Sequence, residues 1–246
     1  MCRMMAVVGS RASAAQLVTR FRAEAHVGRV GAGMAPGHKD GWGIVFADAE
    51  GQLCYAGRST LDAVVDDEYP RAVARLGAAR GTVLAHVRKA SLGSRKLDNT
   101  HPFIEEGLAL AHNGTVWGYA PEGENDSRAL FAAILAERRK GASVEDALST
   151  LARDVDARCR YSSLTLLLTD GRSAWGLRRI GNDPAACAPE ACAPDYYTLG
   201  HAKLPDGTVV LSQEHEVLHI DGWRGVADGD IITVAPTGHV TMRSAL

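Results

Sequence analysis

The feature that most constrains the fold is a series of short, apolar, strand-like segments spread along nearly the whole chain. They read CRMMAVVG, WGIVFA, QLCYAG, TVLAHVR, LALAH, SLTLLLT, SAWGLRR, TVVLS and DIITVA. Two neighbouring pairs are separated by the turn sequences Asp48-Ala49-Glu50-Gly51 and Asp170-Gly171. Turn residues of this kind between strand-like segments predict antiparallel hairpins.

Helical periodicity lies between groups of these segments, around residues 13–25, 66–78 and 127–140. In the third stretch Leu130 and Ile134 share one helix face, and Gly141 follows as a stop signal. Ser143, with Asp146 three residues later, has the pattern of a capping box and predicts a fourth helix. Antiparallel strands with helices clustered between them predict an α+β fold of two sheets packed face to face, with helices outside.

The composition allows an ordinary globular core, with 46% hydrophobic and 23% charged residues and a net charge of −2. Because both signs of charge are spread along the chain, we expect no nucleic acid and no anionic membrane as partner. The apolar runs are too short for a transmembrane helix, and an odd count of five cysteines favours reduced thiols in the cytoplasm. No long Pro/Gly/Ser linker divides the chain, so we expect one domain over residues 1–246.

Two features could suggest a metal site. Cys187 and Cys192 lie in the repeat ACAPEACAPD, but no His or further Cys is close enough to complete a site, which favours a surface loop. HEVLH at 215–219 matches a zinc-protease signature that requires an α-helix. If this segment is extended, its two histidines stand roughly 13 Å apart, too far to bind one zinc ion. We therefore expect neither a metal nor a cofactor.

Cys2 stands directly before the first apolar segment, in the opening MCRMMAVVGS. One interpretation is a small buried hydrophobe at the start of an edge strand. The other depends on removal of Met1, which would leave a thiol and a free α-amine on one residue. That unit combines a nucleophile with its own base. The α-amine has a pKa of about 7.7–8.0 and a thiol about 8.5, close enough for proton transfer at neutral pH.

Three further stretches carry candidate functional residues. GHKDGWGIVF at 37–46 has three glycines, which indicate that the backbone passes close to another group, and Trp42 could form a flat wall of a binding site. A tight turn into a strand is the alternative. Arg88 ends a strand in LAHVRKASLG, where its planar fork suits a carboxylate, unless it is a surface arginine. Asn113 and Gly114 in LALAHNGTVWGY offer an amide donor and an open backbone N–H, as an oxyanion hole requires.

In this order, Cys2 after Met1, GHKDGWG, HVRKAS, NTHPF, HNG and the pair Asp126-Ser127 resemble the class II glutamine amidotransferases. These enzymes are N-terminal-nucleophile hydrolases. The chain is most similar to their stand-alone members, and also to the γ-glutamyl hydrolase of ergothioneine biosynthesis. The resemblance spans residues 2 to 127 and implies a four-layer αββα sandwich of two mainly antiparallel sheets.

The resemblance implies a role for each matching position. Cys2 is the nucleophile, with its α-amine as the base, while Asn113 and Gly114 hold the oxyanion. The candidate substrate-binding residues are Arg88 for the α-carboxylate, Asp126 for the α-ammonium, and Ser91, His101 and Trp42 along the glutamine site. The reaction expected is hydrolysis of the side-chain amide of glutamine or of a γ-glutamyl amide, through a thioester that water cleaves.

Some positions depart from the family pattern. Lys89 and Leu92 replace the Trp and His of relatives that form aminosugars, and Arg128 follows the Asp-Ser pair where Glu is usual. These departures put the substrate in doubt more than the chemistry. Two other functions stay open: a glutaminase subunit that passes ammonia to a partner synthase, and a non-catalytic binding module that keeps the fold.

Overall fold

The computed structural model describes residues 2–30, 35–77, 80–90, 95–121, 124–181 and 196–246. Four residues named in the sequence analysis lie outside the described ranges: Ser91 of the predicted glutamine site, Leu92, and the two cysteines of the predicted surface loop, Cys187 and Cys192.

Seven strands form the first antiparallel sheet, in the order β13-β11-β12-β1-β4-β2-β3. Their bounds are β1 Arg3–Ser10, β2 Trp42–Ala47, β3 Leu53–Ser59, β4 Arg80–Val87, β11 Gly200–Lys203, β12 Val209–Ser212 and β13 Arg224–Gly225. β1 lies between β12 and β4, so the alternative of an edge strand for the N-terminal segment is wrong.

Six strands form the second sheet, in the order β15-β14-β10-β9-β6-β5, and β7 pairs with β8 separately. Their bounds are β5 Phe103–Glu105, β6 Leu108–Asn113, β7 Val116–Trp117, β8 Arg160–Tyr161, β9 Thr165–Thr169, β10 Ala174–Leu177, β14 Asp230–Val234 and β15 Val240–Ser244. The two hairpins expected from the sequence, β2–β3 and β9–β10, both form.

The described helices are α1 Arg11–Phe21, α2 Glu24–Val27, α3 Glu68–Ala74, α4 Asp126–Arg139 and α5 Val144–Arg158. The Ser143 side chain accepts from the Asp146 N–H at 3.0 Å, which confirms the predicted cap of α5. Gly141 follows α4 with a φ of 92°, the left-handed conformation that suits glycine at a helix end. None of the helices that the structure describes is long and apolar enough to cross a membrane.

Three apolar clusters show how these elements are layered. In β1, Met5 and Val7 pack with α1 and α3, whereas Met4 and Ala6 pack against Ala111 and other residues of the second sheet. The opposite face of the second sheet packs against α4 and α5. Because successive side chains of a strand point to opposite faces, each sheet has one helix-covered and one sheet-covered face. The result is the expected αββα arrangement.

Candidate active site

Cys2 lies just before the central strand β1, and the residue is 9% exposed. β1 and β4 pair so that Arg3 is opposite Val87, and one further step along this register brings Cys2 beside Arg88. The Cys2 thiol lies 3.6 Å from the Lys89 carbonyl oxygen, to which it can donate. The thiol thus lies at the N-terminal end of strand β1, next to Arg88, the arginine predicted to bind a carboxylate.

Asn113 reaches this thiol residue from the other sheet. It is the last residue of β6, on the strand face that carries Ala109 and Ala111 towards the space between the sheets. Its Oδ1 accepts a hydrogen bond of 2.9 Å from the Cys2 nitrogen, and the side chain is 1% exposed. This bond joins residues 111 positions apart and fixes the first sheet against the second at the site.

Gly114 continues from Asn113 with a φ of 151°, where side chains are strongly disfavoured. A Cβ atom built there would lie 1.8 Å from the Ser163 carbonyl oxygen, closer than any real contact. Glycine is therefore required at this position by both conformation and space. The structure places its backbone directly after the amide that binds Cys2.

Arg88 is 4% exposed, so the alternative of a surface arginine is wrong. Its N–H donates to the Gly41 oxygen at 2.8 Å, and its own carbonyl oxygen accepts from Asp40 N–H at 2.9 Å. Asp40 also accepts from Ala90 N–H at 2.9 Å. The glycine-rich stretch at 37–46 thus holds the backbone of Arg88 and of Ala90 through hydrogen bonds with Asp40 and Gly41.

The electrostatics around Cys2 keep the thiol protonated. Burial raises the pKa of the Cys2 thiol, and the positive charges of Arg88 and Arg3 only partly oppose that effect. A buried thiol needs a base to become a nucleophile. The Cys2 nitrogen is a candidate for this base, because it would become a free α-amine if Met1 were removed.

Asp126 lies near the segment that follows Gly114. Its Oδ2 accepts from Val116 N–H at 2.9 Å and its Oδ1 from Ser127 N–H at 2.8 Å. The carboxylate therefore ties the start of α4 to β7. Oδ1 also accepts from the Ser127 hydroxyl at 3.4 Å, so the capacity left for a ligand ammonium lies mainly on Oδ2, which can accept a second hydrogen bond.

His101 lies in a buried histidine pair. Its Nδ1 is 3.2 Å from Nε2 of His86, and its ring meets the Phe103 ring edge-on with centroids 4.5 Å apart. Burial, with the charge of Arg88 in the same direction, lowers the pKa of His86 to about 3. Burial likewise holds the pKa of His101 well below its usual range. Both rings are neutral at pH 7, so His101 can serve a substrate only as a neutral group.

Trp42 does not join the residues around Cys2. Its side chain is fully buried on the helix-covered face of the first sheet, where the indole donates to Asp66 at 3.0 Å and meets Tyr69 edge-on. Strand alternation turns Trp42 away from the space between the sheets, which corrects its predicted role as a substrate wall. The glycine after it is needed because the His101 carbonyl oxygen would lie 2.3 Å from a Cβ at Gly43.

Two departures from the family pattern lie at the edge of this region. Lys89 is half-buried and donates to the Ala35 oxygen at 3.2 Å. Arg128 donates to the Asp98 oxygen, and its guanidinium stands 4.2 Å from the centre of the Phe103 ring. Both long side chains anchor loops beside the site.

Three residues at the site escaped the sequence analysis: Arg3, Gln213 and Glu214. The Arg3 guanidinium donates to the Cys2 carbonyl oxygen at 2.9 Å and pairs with Glu214. Gln213 Oε1 accepts from Asn113 Nδ2 at 3.0 Å. An arginine inside an apolar strand-like segment is the one signal that could have found Arg3; nothing in the local sequence marks Gln213.

The HEVLH segment at 215–219, which only resembles a zinc-protease signature, is neither on an α-helix nor extended. Glu216–Leu218 form a short 3-10 turn, and the His215 ring stacks on Trp223 with centroids 4.8 Å apart. No group of three His, Cys, Asp or Glu residues in the described part of the chain could hold a metal ion.

The sequence matches the family model of class II glutamine amidotransferases over residues 1–181. "Putative glutamine amidotransferase YafJ" of Escherichia coli (strain K12) is 31% identical over 164 residues, which cover 58% of this chain and 61% of that protein. A glutamine amidotransferase of Haemophilus influenzae, also named as putative, is 26% identical over 57% of this chain and 52% of its own length. The matches thus span only about half to three fifths of these relatives.

Solved structures share the fold. Glutamine phosphoribosylpyrophosphate amidotransferase from B. subtilis superposes with a TM-score of 0.66 at 16% identity, covering 100% of this chain and 49% of that enzyme. A glutamine aminotransferase class-II domain protein from Silicibacter pomeroyi gives a TM-score of 0.60 at 19% identity, with 99% of both chains covered. At these identities the likeness concerns the αββα fold alone.

Proposed function

Because this chain belongs to the class II glutamine amidotransferases, we propose that it cleaves the side-chain amide of glutamine or of a γ-glutamyl amide. The products are glutamate and either ammonia or an amine. Cys2 is the nucleophile after Met1 is removed, and the reaction passes through a γ-glutamyl thioester on its sulfur.

The observation that best supports this proposal is the hydrogen bond of 2.9 Å from the Cys2 nitrogen to Asn113 Oδ1. In the processed protein the same nitrogen is an α-amine. The bond to Asn113 would fix the orientation of this amine, so that its lone pair can accept the proton of the Cys2 thiol. The bond also brings the Asn113 amide and the following Gly114 N–H to the place where attack occurs.

The steps follow from these positions. The neutral α-amine takes the thiol proton, and the sulfur attacks the amide carbon of the substrate. Negative charge then develops on the carbonyl oxygen, where Asn113 Nδ2 and Gly114 N–H can donate hydrogen bonds; loss of one such donor costs about 2.7–4 kcal/mol in a comparable site. The α-ammonium returns its proton to the leaving nitrogen as the C–N bond breaks. Water, deprotonated by the α-amine, cleaves the thioester.

Recognition of the glutamyl part is assigned to Arg88 and Asp126. Arg88 is buried and brings a positive charge close to Cys2, which suits the substrate α-carboxylate. Asp126 supplies a carboxylate beside the Asn113–Val116 segment for the α-ammonium. A pair of this kind reads a free glutamyl end and places no demand on the far side of the amide. We assign Ser91 to the same site, although it lies outside the described residues.

A second candidate function is delivery of ammonia to a partner synthase. It is favoured by one observation: a B. subtilis enzyme that shares this fold is about twice as long, since 49% of it is covered here. A non-catalytic module is the third possibility, and it predicts no turnover at all. Release of free ammonia from glutamine at a high rate without any partner favours hydrolysis over delivery.

Intact mass of the purified protein tests whether Met1 is removed, and labelling with a glutamine-analogue electrophile tests Cys2. We expect the label on Cys2 alone, with glutaminase activity lost in Cys2→Ala. Cys54→Ala is the matched control, because Cys54 is a partly exposed thiol on β3 that donates to the Phe46 carbonyl oxygen. Labelling at Cys54 or Cys159, or an active Cys2→Ala protein, would exclude the proposal.

A further inference from the structure

Gln213 is a buried amide that contacts the site from a part of the chain beyond the family match, which ends at residue 181. It directly follows β12, the neighbour of β1 in the first sheet. Cys2 N–H, Asn113 and Gln213 form one chain of hydrogen bonds of 2.9 and 3.0 Å. All three residues are at most 9% exposed.

The direction of this chain follows from its donors and acceptors. Asn113 meets the Cys2 nitrogen with its oxygen and Gln213 Oε1 with its NH₂ group. If the Asn113 amide alone turned over, its oxygen would face the Gln213 oxygen, and both buried acceptors would lose their partner. The two amides can therefore turn over only together, because Gln213 Nε2, which has no partner among the described residues, could then donate to the Asn113 oxygen.

Removal of Met1 makes this coupling important. A peptide N–H can only donate, so it selects the Asn113 oxygen by itself. A free α-amine has both an N–H and a lone pair, and it would accept either end of the amide. With the nitrogen end of Asn113 towards it, the amine lone pair would be occupied by an N–H and could not take the thiol proton.

On the basis of the proposed function, we propose that Gln213 is a positioning residue for the nucleophile. While Gln213 Oε1 accepts one N–H of Asn113, the Asn113 oxygen stays on the α-amine, the lone pair stays available as base, and the second N–H stays available for the oxyanion. Gln213 acts only through Asn113 and does not touch the reacting atoms.

The side chain of Gln213 can be changed without removing the bonds that hold its backbone. Its N–H donates to the Met4 oxygen at 3.4 Å, and its carbonyl oxygen accepts from the Thr198 hydroxyl. Its Nε2 has no partner among the described residues, so replacing that nitrogen costs no hydrogen bond there. Gln213→Glu therefore keeps the acceptor for Asn113, whereas Gln213→Met keeps the length of the side chain and removes the acceptor.

Steady-state kinetics on glutamine with the full-length protein test the proposal. We expect Gln213→Met to lower kcat by about 10- to 100-fold, the scale of misplaced reacting groups, with KM within about 2-fold. Gln213→Glu should stay within about 3-fold of the parent. The rate of Cys2 labelling should fall in parallel with kcat. Gln16→Met, on the exposed face of α1, is the matched control and should match the parent.

The opposite outcomes are equally clear. An unchanged kcat in Gln213→Met, a change in KM alone, or equal losses in the Met and Glu variants with a lowered Tm would each overturn the positioning role. If Cys2→Ala stays active, the proposed function itself fails. If Cys2→Ala is inactive and Gln213→Met is not, only the role of Gln213 is refuted.

Discussion

Gly114 allows the sharpest test of the oxyanion assignment, because the chain offers a matched control. In Gly114→Ala the new Cβ would lie 1.8 Å from the Ser163 oxygen, whereas in Gly118→Ala nothing lies within 4 Å. Both residues have positive φ values, 151° and 81°. Both variants place a methyl group at a positive φ, and they differ in the steric overlap that this methyl group meets.

The expected magnitudes follow from these distances. A side chain at positive φ costs about 1–2 kcal/mol. The overlap at Gly114 requires the chain to move by more than about 1 Å, which adds about 1–3 kcal/mol of overpacking. We therefore expect Gly114→Ala to lose about 2–5 kcal/mol of unfolding free energy, and Gly118→Ala about 1–2 kcal/mol.

Activity should separate the two variants further. A shift of about 1 Å at the oxyanion donors should lower kcat by about 100-fold in Gly114→Ala, and Gly118→Ala should keep the parent kcat. Denaturant unfolding gives the free energies, and glutaminase kinetics below the unfolding range gives kcat for the folded fraction. A folded Gly114→Ala protein with kcat within 3-fold of the parent would refute the oxyanion role of this backbone.

Three further predictions concern binding, specificity and stability. Arg88→Ala should lower kcat/KM for glutamine by roughly 30-fold or more, since an unpaired ligand charge costs about 2–5 kcal/mol. The parent should not turn over N-acetylglutamine; equal rates on glutamine and N-acetylglutamine would contradict recognition of the free glutamyl end by Arg88 and Asp126. Lys89→Ala should change the preference among γ-glutamyl amides far more than the glutaminase rate, as competition assays can show. Burial, with Glu214 acting in the same direction, raises the pKa of Glu24 from 4.5 to about 9 in the folded state. The free energy of unfolding should therefore fall as the pH rises between these two pKa values, by up to about 1.4 kcal/mol per pH unit. Glu24→Gln should flatten this fall between pH 5 and 8, as denaturant unfolding can measure.

Much of the fold was predictable because its signals are local. Strand-like segments such as WGIVFA coincide with β2, and the cap at Ser143 and the stop at Gly141 bound their helices as expected. The strands that the sequence does not predict are short or exposed: β5, β7, β8, β11 and β13 have two to four residues each, and β15 is a mostly exposed edge strand. Such strands are held by their neighbours in the sheet and carry too few residues for a periodic pattern.

The sequence by itself determined the chemical groups and their local setting: a thiol beside the N-terminus, an amide and a glycine after a strand, and an arginine at a strand end. The tertiary structure alone decided which of them meet. Alternation along a strand is visible in the sequence, but which face meets the second sheet is not, so the sequence favours Trp42 as a wall of the site whereas its side chain faces the helices. The bonds from Cys2 to Asn113 and from Asn113 to Gln213 span 111 and 100 residues, and only the packing of two sheets brings these groups together.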